Sequence, residues 1–253
     1  MNTKLLCKFK GGSHAYGLST PTSDVDWRGV FVNTEVKHLV GLSRHDHEVK
    51  QDDHTDESYK EFRHALQLLK NANSEMIELL YLRPQQLEVW SPEWSLVVSS
   101  RKDLVSSEKL FSCLRGYMQG ELRLANGERT GRLGGKRKEA IDKYKFSPKN
   151  FVQYFRLAFA GSIFFERGYF PVNIFEEDKR YCEWLMIIKT KPETLDVGFL
   201  NDEAKKAEET LVKSYESRCF SFKFNEALAD ELCLRIYGPL ISKAYSQLDS
   251  DKN

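Results

Sequence analysis

Short apolar runs separated by polar turns dominate the first third of the chain, whereas amphipathic spacings dominate the rest. Short runs rich in branched and aromatic side chains are typical of β-strands. They predict strands over residues 4–10, 24–32 and 36–42, and the polar stretch at 48–57 is interpreted as a further strand. Between the first two strands, the sequence predicts a short helix over residues 13–18 and a turn at Ser-Thr-Pro-Thr-Ser, residues 19–23.

Helical patterns begin near Ser58. Ser58 and Glu61 match a capping box, and apolar residues then recur at spacings of three and four, so we expect a helix to begin there. Ser147 followed by Pro148 predicts the start of another helix, which Gly168 ends. Further helices are predicted over residues 74–82, 107–125, 203–217 and 226–237, the last of them ended by Gly238-Pro239.

This order of elements predicts an α+β fold, with a small mixed-sheet core over residues 1–105 and a helical domain over residues 106–253. Apolar residues make up 41% of the 253 residues, which is enough for a folded core. The sequence has no apolar run that would span a bilayer, and its N-terminal apolar stretch is too short for a secretory signal. The five cysteines are scattered, without a Cys-x-x-Cys pair, which predicts a cytoplasmic protein without a disulfide framework.

Charge is distributed unevenly, although the formal net charge is only +1. Residues 46–61 hold seven acidic residues and two lysines, whereas residues 115–149 hold ten basic residues and four acidic ones. Within the basic stretch, the segment ERTGRLGGKRK at 128–138 is interpreted either as a solvated loop or as a loop that follows a phosphate chain.

The stretch GGSHAYGLSTPTSDVDWRGVF, residues 11–31, combines two features with chemical meaning. In an extended segment Asp24 and Asp26 lie on one face, where two carboxylates repel each other unless a cation lies between them. In proteins, Mg²⁺ binds one or two carboxylates together with phosphate oxygens. A Gly12-Ser13 corner that opens a helix offers N–H groups and a hydroxyl to phosphate. Together these features predict a nucleoside triphosphate site with Mg²⁺ or Mn²⁺.

The same stretch resembles the nucleotidyltransferase signature of the DNA polymerase β-like superfamily. Gly12-Ser13, a spacer of ten residues and Asp24-Val25-Asp26 carry the resemblance. The string GSHAYGLSTPTSDVDWRGVF is most similar to a bacterial and phage branch of predicted nucleotidyltransferases. Two further strings, DESYKEFRHALQLLKNANSEMIELLY and KYKFSPKNFVQYFRLAFAG, resemble later segments of that branch. The resemblance covers roughly residues 10–170.

This resemblance implies a role for each matching residue. Ser13 and the backbone of Gly12 would hold the triphosphate, and Asp24 and Asp26 would bind the metal ions. Asp56 is the best match to a third, catalytic carboxylate that completes the metal site, with Asp53 and Glu57 as alternatives. Further residues are candidates for binding NTP, namely Tyr16, Lys149 and Arg156. Charge placement, and not the resemblance, gives the basic candidates for binding the acceptor, which are Arg129, Arg132, Lys136, Arg137 and Lys138.

The implied activity is metal-dependent transfer of a nucleoside monophosphate from an NTP, with ATP expected, to an acceptor hydroxyl, releasing pyrophosphate. The basic segment favours an RNA end or another polyanionic acceptor. Two other interpretations stay open: a non-catalytic nucleotide- or RNA-binding module, and an adenylyltransferase that modifies another protein. His45, His47 and His54 lie among acidic residues and have the ligand type of a transition-metal site, but solvated loop residues are the favoured interpretation.

Overall fold

A computed structural model describes residues 3–42, 44–51, 55–128 and 135–250 of the chain. The strands are β1 Thr3–Lys10, β2 Val25–Asn33, β3 His47–Gln51, β4 Thr55–Glu61 and β5 Leu87–Trp90. The helices are α1 Gly12–Ala15, α2 Val36–Val40, α3 Phe62–Lys70, α4 Ser74–Tyr81, α5 Pro92–Ser99, α6 Ser107–Ala125, α7 Gly135–Tyr144, α8 Pro148–Arg167, α9 Ile174–Glu177, α10 Lys179–Thr190, α11 Val197–Ser217 and α12 Glu226–Ser250. Short 3₁₀ turns occur at Pro84–Gln86, Arg101–Leu104 and Pro192–Thr194. The predicted α+β class is confirmed.

The chain divides into two compact units. The first comprises the chain up to Ala15, Ser19–Ser106 and the part from Phe222 onward, and the second comprises Tyr16–Leu18 and Ser107–Ser221. The last helix, α12, belongs to the first unit, and the predicted domains over residues 1–105 and 106–253 stay a prediction. There, α12 packs against α2 and α5.

The first unit is built on one five-stranded sheet, in the order β3-β4-β2-β1-β5. The pairs β3–β4, β1–β2 and β1–β5 are antiparallel, whereas β2 and β4 are parallel. A parallel pair requires a crossover connection, which α2 and β3 provide. In the resulting register Asp26 lies opposite Asp56 and Arg28 opposite Ser58. The sheet is therefore mixed, and its parallel pair brings together the polar starts of β2 and β4.

Two segments of the first unit differ from the predicted elements. Residues 36–42 were expected to be a strand, but Val36–Val40 form α2. The predicted capping box at Ser58 and Glu61 is also wrong, because both residues lie in β4, which pairs with β2 up to Phe31–Glu61. The helix begins only at Phe62, where the Glu61 carboxylate accepts from the Arg63 N–H at 2.9 Å.

The C-terminal helix also continues past its predicted end. Gly238-Pro239 was expected to end it, but α12 runs through Pro239. An internal proline removes one backbone N–H bond and strains the preceding turn, but a helix can kink and continue beyond it. Leu232 and Ile236, one turn apart on α12, are buried in the first unit.

The second unit is arranged around α8, which packs against α6, α10 and α11. Its predicted bounds hold: Pro148 begins the helix, and Gly168 ends it in the left-handed conformation, with φ 76°. A side chain at Gly161 would lie 2.8 Å from a methyl group of Leu114 and 2.8 Å from one of Leu211. This glycine therefore allows the three helices to approach closely. In the part of the chain that the structure describes, the helices are all too short or too polar to cross a membrane.

Tyr237 on α12 should be important for the stability of the first unit. Its buried hydroxyl donates to the fully buried Glu61 carboxylate and accepts from the Arg63 N–H at 3.2 Å. Burial and the Glu61 charge raise the pKa of this phenol. We expect Tyr237→Phe to lower the free energy of unfolding in a urea titration by about 1–3 kcal/mol, since the buried Glu61 carboxylate loses one of its hydrogen-bond donors. Tyr245→Phe, on an exposed side chain of the same helix, should change it by less than about 0.5 kcal/mol in the same urea titration. Equal effects of the two substitutions would contradict this role.

Candidate active site

The corner between β1 and α1 lies directly against the Asp26 carboxylate. The Gly11 N–H donates to the Asp26 carbonyl at 2.6 Å, which fixes the corner to β2. Gly12 follows with φ +58°, in the left-handed region. A Cβ atom at Gly12 would lie only 2.4 Å from Asp26 Oδ2. Glycine is therefore required here both by the backbone conformation and by the close approach of the carboxylate.

Ser13 and Asp24 lie on either side of this contact in the sequence. Ser13 is half-buried in α1, directly after Gly12. Asp24 is exposed and lies one residue before β2 begins at Val25. Their predicted roles, in phosphate and metal binding, stay predictions.

The strand register separates Asp56 from one of its two alternatives. Asp56 lies opposite Asp26, and successive side chains of a strand point to opposite faces. Asp56 therefore shares the face of Asp26, whereas Glu57, opposite Trp27, lies on the other face. Asp53 lies outside the described residues. Asp56 remains the predicted third carboxylate.

Arg28 links the two aspartates. Its Nη2 atom lies 3.1 Å from Asp56 Oδ2 and 3.6 Å from Asp26 Oδ1. Its Nη1 atom donates to the backbone carbonyls of Trp27 at 2.9 Å and Asp56 at 3.1 Å. The guanidinium is thus held at the starts of β2 and β4. The sequence contained a signal for this contact, since Arg28 follows Asp26 by two positions and must share its face.

Glu75, in the first turn of α4, is a member of this cluster that the sequence did not single out. Its Oε1 atom lies 3.4 Å from Arg28 Nε. Partial burial raises the pKa of the Glu75 carboxyl, and the Arg28 charge acts in the opposite direction. Helix α4 was predicted, but no motif connects its second residue to a strand 47 positions earlier.

Lys60 and His47 continue the polar face of the sheet along β4 and β3. His47 Nε2 lies 2.8 Å from Lys60 Nζ and 2.8 Å from Ser58 Oγ. Burial and the Lys60 charge lower the pKa of His47, and burial also lowers the pKa of Lys60. His45 instead lies 3.0 Å from Glu48, and His54 is outside the described residues. His45 and His47, the two of these three candidate metal ligands that the structure describes, are therefore engaged with neighbouring side chains.

Tyr16 and Arg156 contact each other within the second unit. The Arg156 guanidinium carbon lies 3.7 Å from the centre of the Tyr16 ring, and Arg156 is only 1% exposed. Its Nε atom donates to Gln153 Oε1 at 3.1 Å. A guanidinium stacked on an aromatic ring and buried in this way fixes the ring. The prediction that the two residues bind NTP is untested.

Two lysines also belong to this unit. Lys149 is exposed in the first turn of α8. Lys189 on α10, which the sequence analysis missed, donates to the Leu18 carbonyl at 2.5 Å. Burial and the charge of Lys149 lower the pKa of Lys189. Lys189 thus helps to hold Tyr16–Leu18, and the predicted role of Lys149 in binding NTP stays a prediction.

The predicted acceptor-binding segment is described in part. Arg129 and Arg132 lie outside the described residues. Lys136, Arg137 and Lys138 lie in the first half of α7, where Lys138 is exposed and Arg137 half-exposed. The end of the segment is therefore helical, which the loop interpretation did not predict.

Comparison with protein families connects this geometry to a known group. The sequence profile of RlaP, described as the RNA repair pathway DNA polymerase beta family, matches residues 1–206. The chain belongs to the RlaP family. The predicted membership of the DNA polymerase β-like nucleotidyltransferase superfamily is thereby confirmed. A search of curated proteins found no match.

RlaP belongs to a superfamily whose nucleotidyltransferases generally use divalent metal ions. Within residues 3–42, 44–51, 55–128 and 135–250, no three His, Cys, Asp or Glu side chains form a group that would hold a metal ion by themselves. Asp26 and Asp56 nevertheless provide two carboxylates that contact one Arg28 nitrogen. Two carboxylates are sufficient for Mg²⁺ when phosphate and water oxygens complete its shell. Carboxylate oxygens are the donor type that such an ion prefers, and Asp26 and Asp56 as its ligands stay a prediction.

Gly12→Ala tests the corner of this RlaP chain. The methyl group would displace the Asp26 carboxylate and strain the left-handed backbone, so we expect a loss of about 1–3 kcal/mol in stability. Gly120→Ala is the matched control, because a Cβ at this helical position would have no neighbour within 4 Å. That substitution should stabilise the protein by about 0.5–1 kcal/mol. Thermal unfolding measures both, and a neutral Gly12→Ala would refute the close contact.

Proposed function

We propose that the chain transfers a nucleoside monophosphate from a nucleoside triphosphate, with ATP the expected donor, to a hydroxyl at an RNA end. The supporting observation is the contact between the Gly12 corner and Asp26, with Asp56 opposite on the neighbouring strand. Asp26 Oδ2 faces the corner and Oδ1 faces Arg28. This arrangement supports a site in which the phosphates of a nucleotide and a cation would meet at the Asp26 carboxylate.

The proposed reaction is a single displacement at the α-phosphorus. The acceptor hydroxyl oxygen forms a bond to this phosphorus, the bond to the bridging oxygen of the β-phosphate breaks, and pyrophosphate leaves with that oxygen. The hydroxyl proton passes to a nearby carboxylate, for which Asp56 is the candidate. A divalent cation, when bound by Asp26 and Asp56 with Asp24 as a further ligand, would neutralise charge on the triphosphate. The Gly12 backbone and the Ser13 hydroxyl would donate to phosphate oxygens.

An RNA acceptor is supported by two observations. The description of the family names an RNA repair pathway. In addition, the first turn of α7, directly after Gly135, has three consecutive basic residues, Lys136, Arg137 and Lys138. Clustered cations of this kind attract the phosphates of a nucleic acid strand and release its counterions.

Label transfer tests the proposed reaction. The protein is incubated with α-³²P-labelled triphosphates, Mg²⁺ or Mn²⁺, and an RNA with a free 3′-hydroxyl, and label on the RNA is measured. We expect Asp26→Asn and Asp56→Asn each to reduce transfer by at least about 100-fold, since each removes a charged ligand. Glu57→Gln, on the opposite face of the sheet, and Asp202→Asn, at an exposed ion pair, should stay within about twofold of the parent protein.

Other outcomes of the same assay point to other functions. Transfer that persists in both aspartate variants would refute the site. Label on a polypeptide instead of RNA would support an adenylyltransferase that modifies proteins. Metal-dependent binding of triphosphate without release of pyrophosphate would support a non-catalytic binding module.

The basic start of α7 is tested by the salt dependence of RNA binding. We expect Arg137→Gln combined with Lys138→Gln to weaken binding and to reduce the log–log salt slope by about 0.7 for each phosphate that the variant no longer binds. Lys205→Gln combined with Lys206→Gln removes two exposed charges of α11 and serves as the control. Fluorescence anisotropy with labelled single-stranded RNA measures the slope. An unchanged slope in the α7 variant would exclude this surface from RNA binding.

A further inference from the structure

Three carboxylates from three different elements share one guanidinium. Arg28 Nη2 contacts Asp56 on β4 at 3.1 Å and Asp26 on β2 at 3.6 Å, and Nε contacts Glu75 on α4 at 3.4 Å. The guanidinium has five N–H donors in a fixed plane, so contacts with several acids at once are within its geometry. Arg28 is thus the cation at which the two proposed metal ligands and Glu75 meet.

The Arg28 side chain is more buried than its partners. Its exposed fraction is 20%, against 32% for Asp26, 38% for Asp56 and 39% for Glu75. Partial burial reduces the screening of its charge compared with that of a surface ion pair. Two carboxylates that the strand register places opposite each other repel, and the shared cation offsets this repulsion when no metal ion is bound.

We propose that Arg28 is an internal counter-ion of Asp26 and Asp56, and that Glu75 is a positioning residue that draws part of this charge away from them. The inference rests on the proposed function, in which Asp26 and Asp56 bind the divalent cation. The Arg28 charge opposes a divalent cation at these carboxylates. Glu75, by holding the Nε side of the guanidinium, limits this opposition and so tunes the affinity of the site for the cation.

Substitutions at the two residues should therefore change cation affinity in opposite directions. Arg28→Met removes the competing charge, so Mn²⁺ should bind about fivefold more tightly or better. In Glu75→Gln the Arg28 charge is no longer shared with Glu75 and pairs only with the two aspartates. Mn²⁺ should therefore bind about fivefold more weakly. General loosening of the fold would weaken binding in both variants.

Glu75→Asp separates positioning from charge. It retains the negative charge but shortens the side chain by one methylene, which moves the carboxylate out of contact with Arg28. If Glu75 acts through Arg28, Glu75→Asp should bind Mn²⁺ as weakly as Glu75→Gln. Glu93→Gln is the matched control, because Glu93 also lies in the first turn of a helix and pairs with a cation, Lys4, at 2.5 Å.

The measurement is the free Mn²⁺ signal in electron paramagnetic resonance, during titration of each variant without nucleotide at low ionic strength. Opposite shifts for Arg28→Met and Glu75→Gln, an unchanged Glu93→Gln, and a Glu75→Asp that follows Glu75→Gln would support the inference. Weaker binding in Arg28→Met, or a Glu75→Asp that binds like the parent protein, would overturn it. If Arg28→Met does not fold, the two Glu75 variants decide the outcome alone.

A second measurement keeps this inference distinct from the proposed function. Urea unfolding in metal-free buffer of the parent, Arg28→Met, Glu75→Gln and the double variant gives a double-mutant cycle. Additive effects would show that Arg28 and Glu75 do not interact, and would overturn the inference even in an enzyme that transfers nucleotides. A parent protein that binds no Mn²⁺ either alone or together with a nucleoside triphosphate would instead refute the metal-dependent function, while non-additive effects would still support the pairing of Glu75 with the counter-ion.

Discussion

The parallel pairing of β2 with β4 is the constraint on which the candidate site depends. Antiparallel neighbours can be joined by a tight turn, but this pair requires the chain to cross over through α2 and β3 before β4 begins. The register sets Asp26 opposite Asp56, so two like charges lie side by side at the starts of their strands. A nearby cation offsets the repulsion between them. Arg28 supplies one from within the sheet, at 3.1 Å and 3.6 Å from the two carboxylates.

The corner before α1 depends on the same strand. The Gly11 N–H is bonded to the Asp26 carbonyl, and the Gly12 backbone passes so close to the Asp26 carboxylate that no side chain fits between them. Asp26 therefore both holds the corner in position and belongs to the acidic cluster around Arg28. For a nucleotidyltransferase of the polymerase β-like superfamily, phosphate-binding N–H groups and metal-binding carboxylates have to be adjacent, because phosphoryl transfer depends on positioning and charge neutralisation.

Local sequence was sufficient for elements whose signals lie within one turn or one strand. Helix α6 was predicted with its observed bounds, and Ser147-Pro148 and Gly168 correctly predicted both ends of α8. The Gly-Ser corner followed by Asp24 and Asp26 predicted the superfamily, since the spacing of a short motif can be read directly from the sequence. The alternation of side chains between the two faces of β2 also indicates that Arg28, two residues after Asp26, shares the face of Asp26.

Contacts between distant parts of the chain decided the remainder. Ser58 and Glu61 have the local pattern of a capping box, but pairing with β2 makes them strand residues. Helix α12 continues through Pro239, although Gly238-Pro239 has the local pattern of a helix end. The sequence alone predicted that two carboxylates share a face, and it left the third carboxylate open between Asp56 and its neighbours. Only the tertiary structure placed Asp56 opposite Asp26 and brought Glu75 to Arg28, because strand register and helix packing are set by non-local contacts that no local pattern encodes.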